Sequence, residues 1–162
     1  MGGVAYNGGG GAATVTNNSV IVSGGQTGSI DGGNAFSNKG TALGMWNKAL
    51  VSGGTLGSVY GAYIDTGSGT ATAENNTLVV SGGSISSGYG GYAKGQYSGS
   101  SASASENSAI VTGGVVTVDL YGGWAEVKAT GTASATGNSA TITGGEIKGK
   151  IVGGHEPDHP GQ

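Results

Sequence analysis

The octapeptide at 76–83, Asn-Thr-Leu-Val-Val-Ser-Gly-Gly, recurs in variant form at 18–25, 47–54, 107–114 and 138–145, and this recurrence limits the fold more than any other property of the chain. Each copy opens on Asn, closes on Ser-Gly-Gly or Thr-Gly-Gly, and carries a branched aliphatic residue just before the Ser or Thr. The opening residues, Asn18, Asn47, Asn76, Asn107 and Asn138, stand 29, 29, 31 and 31 apart. A fixed period of this size is the signature of a repeat architecture, and it outranks any local reading.

A second double-glycine landmark alternates with the first. Gly-Gly, once Gly-Ala, begins at Gly2, Gly32, Gly61, Gly90, Gly122 and Gly153. Read as two corners, the landmarks cut each repeat into three strand-sized segments: an Ala-x-Ala type segment, the Asn-led segment, and a third from one Gly-Gly to the other. Val, Ile, Thr, Ser and Ala dominate, alternating with a period of two and never with a helical period. Three such segments every ~30 residues, bounded by glycine corners, predict an all-β right-handed parallel β-helix (β-solenoid) of about five turns, with rungs ~4.8 Å apart. Residues 1–154 are expected to form five full units and a partial one, with 155–162 as a C-terminal tail or cap. Glycine makes up 38 of 162 residues, a proportion also compatible with disorder, but its fixed positions and a charged content of only 9% argue for a folded chain.

The columns follow from the repeat. Val22, Val51, Val80, Val111 and Ile142 are expected to point inward, beside Val20, Ala49, Leu78, Ala109 and Ala140. Thr27, Leu56, Ile85, Val116 and Ile147 form a third inward column, and Ile30, Val59, Leu120 and Ile151 a fourth. One turn cannot bury these residues alone, so stability comes from stacking on neighbours. The Asn column reads as a structural ladder of amides rather than a ligand site.

Four surface features carry the functional expectations. Tyr60, Tyr89 and Tyr121 precede a Gly-Gly, and Tyr63, Tyr92 and Trp124 follow it. Stacked rings stabilise a solenoid by themselves, and the same strip would serve as a contact surface for a host glycan or surface protein. Ile21, Leu50, Val79 and Ile110, continued by Thr141, have outward parity and would form an apolar ridge. Hydroxyls at Thr14, Thr16, Thr70, Thr72, Ser103, Ser105, Ser134 and Thr136 flank the Ala column as on ice-binding faces, though Leu43, Met45 and Glu74 interrupt them. His155, Glu156, Asp158 and His159 gather metal-ligand types, but Pro157 and Pro160 among them fit a tail, and no metal or cofactor is expected.

Catalysis is not expected. Asp31, Asp65, Asp119 and the Glu residues read as occupying non-equivalent positions, and no Ser/His/Asp order, P-loop or calcium nonapeptide occurs. Six Lys, no Arg and a net charge of -3 make a poor footprint for nucleic acid. With no Cys there is neither a disulfide framework nor a thiolate metal site. No apolar run is long enough to span a membrane, and nothing reads as a signal peptide.

The unit Gly-x-Ala-x-x-x-Asn-x-Val-x-Val-Ser-Gly-Gly-x-Ile-x-x-x-x-Tyr-Gly-Gly-x-Ala, carried best by residues 69–93 and 131–154, resembles the passenger-domain repeats of bacterial autotransporter (type V secreted) adhesins. The resemblance implies a β-helical stalk or contact surface outside a Gram-negative cell, usually without catalysis and with scarce Cys. The chain enters the pattern in mid-unit, and no signal peptide or C-terminal membrane barrel accompanies the repeats, so a fragment of a longer array is expected. The expected function is a structural or adhesive segment. The alternatives are a filament subunit that stacks end to end through open solenoid edges, and an ice-binding protein using the Thr/Ser face.

Overall fold

The computed structural model describes residues 1–157 as a parallel β-solenoid of about five turns, with no helix among them. Three sheets form its walls. The alanine sheet holds Ala13–Thr16, Thr41–Met45, Thr70–Glu74, Ser101–Ser105 and Thr132–Thr136. The Asn-led sheet holds Ser19–Thr27 and Lys48–Leu56, then Thr77–Val80 with Ser84–Ile85, Ser108–Val111 with Val115–Val116, and Ser139–Ile142 with Glu146–Ile147. The third, the aromatic sheet, holds Gly3–Asn7, Ile30–Ser37, Val59–Thr66, Gly88–Gly95, Leu120–Val127 and Ile151–His155. Every strand pairing is parallel and, apart from a local shift at Ser23, joins equivalent residues of successive turns, such as Val22 to Val51, Val51 to Val80 and Val80 to Val111.

The four inward columns stack as the repeat dictates. Val51, Val80, Val111, Ala49, Leu78, Ala109, Leu56, Ile85, Val116, Val59 and Leu120 share one buried cluster. Gly88 takes the place between Val59 and Leu120 in the fourth column. A second cluster lies between the alanine sheet and the far half of the aromatic sheet, where Ala13, Ala42, Ala71 and Ala102 meet Ala35, Ile64, Ala93 and Ala125. Small residues on both walls draw those sheets close.

A polar waist divides the two clusters. At its centre the Asn ladder is buried at Asn47, Asn76 and Asn107. Each Oδ1 accepts both the backbone N–H and an Nδ2–H of the Asn one turn earlier. Asn47 thus donates to Asn76 at 2.9 and 3.0 Å, and Asn76 to Asn107 at 2.9 and 3.0 Å. The remaining Nδ2–H of Asn76 reaches the Gly44 carbonyl at 2.9 Å, and that of Asn107 the Ala73 carbonyl at 2.8 Å. Each amide is therefore saturated by a neighbouring turn, which is how a buried Asn escapes its desolvation cost.

Two corrections to the sequence reading arise at the glycines. The Gly-Gly at Gly61 and its equivalents is no corner: the strand Val59–Thr66 runs straight through it. The ladder passes from Tyr60–Tyr89 to Ala62–Gly91 and skips the first glycine. There the aromatic and Asn-led sheets nearly touch, since a Cβ on Gly61 would lie 2.8 Å from the Thr77 carbonyl oxygen across the coil. The strict period of two also fails at this point. Alternation slips by one residue, so Tyr60 and Tyr63 share the outer face while Val59, Ala62 and Ile64 point inward. The Ser-Gly-Gly corners do turn the chain. Gly83, with φ of 78°, takes the left-handed conformation that the bend requires, as does its equivalent in every other turn.

The unequal repeat lengths are also accounted for. Loop 38–40 and loop 67–69 have three residues, whereas 96–100 has five and 128–131 has four, all stacked on the edge between the aromatic and alanine sheets; the fourth repeat gains its other extra residue at 117–119, where 57–58 and 86–87 have two. The tail boundary moves by one residue: His155 ends the last strand rather than opening the tail. Asp158, His159 and Pro160, with the last two residues of the expected tail, lie outside the described residues.

Candidate functional site

The slip at Gly61 places two aromatic columns side by side on the outer face of one sheet. Tyr60, Tyr89 and Tyr121 stack at 4.8 and 5.3 Å between centroids. Tyr63, Tyr92 and Trp124 stack at 5.1 and 6.1 Å. Between the columns the rings meet edge to face, at 5.2 Å for Tyr60–Tyr63 and 4.7 Å for Tyr121–Trp124. His155 continues the array, 4.3 Å from Trp124. This herringbone pairing is the arrangement that ring quadrupoles favour.

The packing decides what the strip offers to a partner. Ring faces are occupied by the next ring of the column, so edges and phenol groups are left to point outward. The Tyr92 hydroxyl donates to Glu126 Oε1 at 2.6 Å, and the Tyr121 hydroxyl to Asp119 Oδ2 at 3.0 Å. Burial among the other rings raises the pKa of Tyr60, Tyr63, Tyr89 and Tyr92, with the Glu126 hydrogen bond adding to the effect at Tyr92. For Tyr121, burial and then the bond to Asp119 push the value up to about 12. None of these phenols supplies a phenolate near neutral pH. The Trp124 indole N–H is buried without an acceptor among the described residues.

Beside the strip runs a column the sequence reading missed. Phe36, Asp65, Lys94 and Glu126 are successive equivalents, so Asp65 and Glu126 are not at unrelated positions but flank Lys94 one turn away on either side. Asp31 is likewise equivalent to Tyr60. The signal was present in the spacing to the Gly-Gly and was hidden by treating that landmark as a corner. Asp65 is buried and accepts from Gln96 Nε2 at 2.6 Å through Oδ2, while Oδ1 has no partner among the described residues. Burial raises its pKa, as it does for Asp31, whose Oδ2 accepts from Asn34 Nδ2 at 2.8 Å. These carboxylates are dispersed along a wall rather than gathered around a cleft.

Ile21, Leu50, Val79 and Ile110 are in register and outward, with Ile21 exposed and the other three half-buried. The Thr/Ser face is in register too, and Leu43, Met45 and Glu74 interrupt it where the spacing placed them. Among the described residues no group of three His, Asp or Glu is placed to hold a metal ion. No helix is long and apolar enough to cross a membrane.

A further column lies at the corner between the alanine and Asn-led sheets. The residue before each ladder Asn has positive φ: Asn17 at 57°, Trp46 at 58°, Asn75 at 53°, Glu106 at 54° and Gly137 at 63°. These include all four non-glycine residues with positive φ among the described residues. The required dihedral is set by the inward turn of the ladder Asn and is invisible in a list of residue types. Only the recurrence of Asn and Gly before a ladder Asn hinted at it.

No protein-family model matches the chain, and neither curated proteins nor solved structures yield a match.

Proposed function

We propose that the chain is a non-catalytic, load-spreading segment of a bacterial surface protein of the autotransporter kind, acting outside the cell as stalk or contact surface for a host glycan or protein. The observation that carries this reading is the parallel stacking of all three walls from the first turn to the last, with one local irregularity at Ser23 in the first turn. A coil whose interior is filled by aliphatic columns and a saturated amide ladder is stiff along its axis, and it holds surface residues at a fixed rung spacing. That suits a spacer which presents side chains at distance. The dispersed carboxylates and the protonated phenols lend no support to acid–base chemistry. The absence of Cys agrees with export of the chain unfolded before it coils.

The test is twofold. Fluorescently labelled chain is applied to arrays of host glycans and matrix proteins and to cultured cells, and the same preparation is incubated with polysaccharides while new reducing or unsaturated ends are assayed. Saturable binding without turnover supports the reading. Saturable turnover of any polysaccharide overturns it.

A further inference from the structure

The corner column departs from the economy of the rest of the fold. The left-handed conformation is entered freely by Gly and at little cost by Asn, while other L-residues pay for it. Turns one, three and five use Asn17, Asn75 and Gly137 there, and turn four uses Glu106, whose carboxylate reaches solvent without an aromatic surface. Turn two uses Trp46, with φ of 58° and 57% of its surface exposed. A tryptophan is thus held in a strained conformation and left in water, and Asn in its place would remove both penalties. Strained residues of this kind persist where a site needs them.

Its surroundings say what it would meet. Unlike the six rings of the strip, the Trp46 indole pairs with no other aromatic ring among the described residues, and more than half of its surface is open to a partner. One rung to either side stand the amides of Asn17 and Asn75, which are engaged only at 3.3 Å, with Thr16 Oγ1 and Glu74 Oε1. One rung further, the Glu106 carboxylate lies over Gly137. Amide, indole, amide and carboxylate therefore line one straight edge at intervals of about 4.8 Å, close to the length of one pyranose residue. A sugar ring lays its C–H face on an aromatic face, and its hydroxyls pair with amides and carboxylates. A protein partner would need a wide apolar core within the contact, whereas here Asn17 and Asn75 bound the indole within one rung on each side. Glu74 and Glu106 beside the amides disfavour an acidic sugar.

We infer, resting on the contact role proposed above, that this corner edge is a subsite for a neutral glycan lying along the solenoid axis, with Trp46 stacking on one sugar and Asn17 and Asn75 holding its neighbours. Trp46, not the tyrosine strip, is then the anchor.

The experiment uses the full chain against an array of neutral oligosaccharides, followed by calorimetric titration with the oligosaccharide of highest signal. Three variants are compared: Trp46→Asn, Trp46→Ala, and Tyr63→Ser as a strip control. The expected result is binding by the wild-type chain that falls roughly tenfold or more in both Trp46 variants and persists in Tyr63→Ser. Trp46→Asn should also unfold at a higher temperature than wild type, an outcome that separates loss of binding from loss of fold. A Trp46→Asn chain that unfolds at a lower temperature overturns the inference, because the indole would then be structural. So does unchanged binding in both Trp46 variants, or no neutral oligosaccharide bound at all. If the chain binds a protein or an acidic glycan instead, the corner subsite is refuted while the contact role stands.

Discussion

Replacing Asn76 with Ala should cost the solenoid about 4 kcal/mol, and the figure follows from which groups the change strands. The Asn76 side chain makes four hydrogen bonds: it donates to Asn107 Oδ1 and the Gly44 carbonyl, and accepts from the N–H and Nδ2–H of Asn47. Alanine leaves two Asn47 donors without an acceptor at a fully buried site. Each orphaned buried donor costs about 1–3 kcal/mol, so the pair costs about 2–6. Asn107 Oδ1 keeps the backbone N–H of residue 76, so the acceptor side adds little. Asn138→Ala is the matched control. Asn138 accepts the equivalent bonds from Asn107 at 2.9 and 3.0 Å, yet it is only half-buried in the last turn, where water can replace it. Its loss should cost about 1 kcal/mol or less. Asn76→Asp completes the series, because it keeps both acceptor roles but turns a carboxylate toward Asn107 Oδ1 and the Gly44 carbonyl. Protonation relieves that clash, so its folded pKa lies above the unfolded value of about 4. The stability deficit of this variant should therefore grow as pH rises through the folded pKa and be smallest below about pH 4. Equilibrium denaturation in guanidinium chloride, followed by circular dichroism, measures all three. Equal costs for Asn76→Ala and Asn138→Ala, or a cost below about 1 kcal/mol at Asn76, would refute the account of the ladder as a buried, saturated structure.

Three further outcomes follow from the same geometry. Gly25→Ala and Gly83→Ala both force alanine into a left-handed corner, at 87° and 78°, but a Cβ at 25 meets open space while one at 83 comes within 2.7 Å of Gly53 and Gly54. Denaturation should show a loss of about 1–2 kcal/mol for the first and a distinctly larger one for the second, and equal losses would mean that the turns do not stack as closely as described. The strip tyrosines have folded pKa values above 10, so they favour the folded state fully below pH 10 and lose that contribution as pH rises through the folded values. Absorbance of phenolate should accordingly lag on alkaline titration until the sheet signal collapses, whereas complete titration of the strip near pH 10 in a folded chain would count against it. Asp65 has the same sign for the same leading reason: burial raises its carboxyl above 3.8, so charging it destabilises the fold. Asp65→Asn should raise the thermal midpoint at pH 7, with the gain shrinking toward zero as pH falls below 3.8, and no gain at pH 7 would refute the assignment.

The contrast between these residues shows what was legible in the sequence. Columns at fixed offsets from the Asn, such as Val51–Val80–Val111, can be read directly because parallel in-register stacking copies sequence spacing into space. The ladder was legible for the same reason. Offsets across the second Gly-Gly were not, because the slip at Gly61 changes side-chain parity without changing residue spacing. The six rings were still legible as one strip from their spacing to the Gly-Gly, but their common outward parity, and with it the column that joins Asp65, Lys94 and Glu126, was not. The strain at Trp46 was further out of reach, since a dihedral angle leaves no mark in composition. It became visible only when the equivalent corners showed the same conformation, on Asn or Gly in three turns and on Glu106 in the fourth.

End-to-end stacking into a filament can be judged from the rung count, with two opposing considerations. In its favour, the ladder is directional: it ends upward in the Asn18 Oδ1 and downward in the Asn138 N–H, neither of which has a ladder partner among the described residues, and an acceptor facing a donor is what head-to-tail copies would join. Against it, the aromatic sheet holds six strands while the alanine sheet holds five. Joining Asn138 to Asn18 of a second copy advances the coil by five rungs and drives Gly3–Asn7 of that copy into the place of Ile151–His155. Advancing by six rungs lets those two strands pair but leaves an empty rung, about 4.8 Å high, in both other walls and breaks the ladder. The steric conflict outweighs two hydrogen bonds worth about 1 kcal/mol each, because either arrangement gives up a whole strand or two rungs of buried aliphatic contact. Sedimentation velocity on the 162-residue chain across a wide concentration range should thus show one compact monomeric species. Fibres, or a sedimentation coefficient that climbs with concentration, would mean that an edge strand yields more readily than its pairing implies, and would return end-to-end assembly to the front.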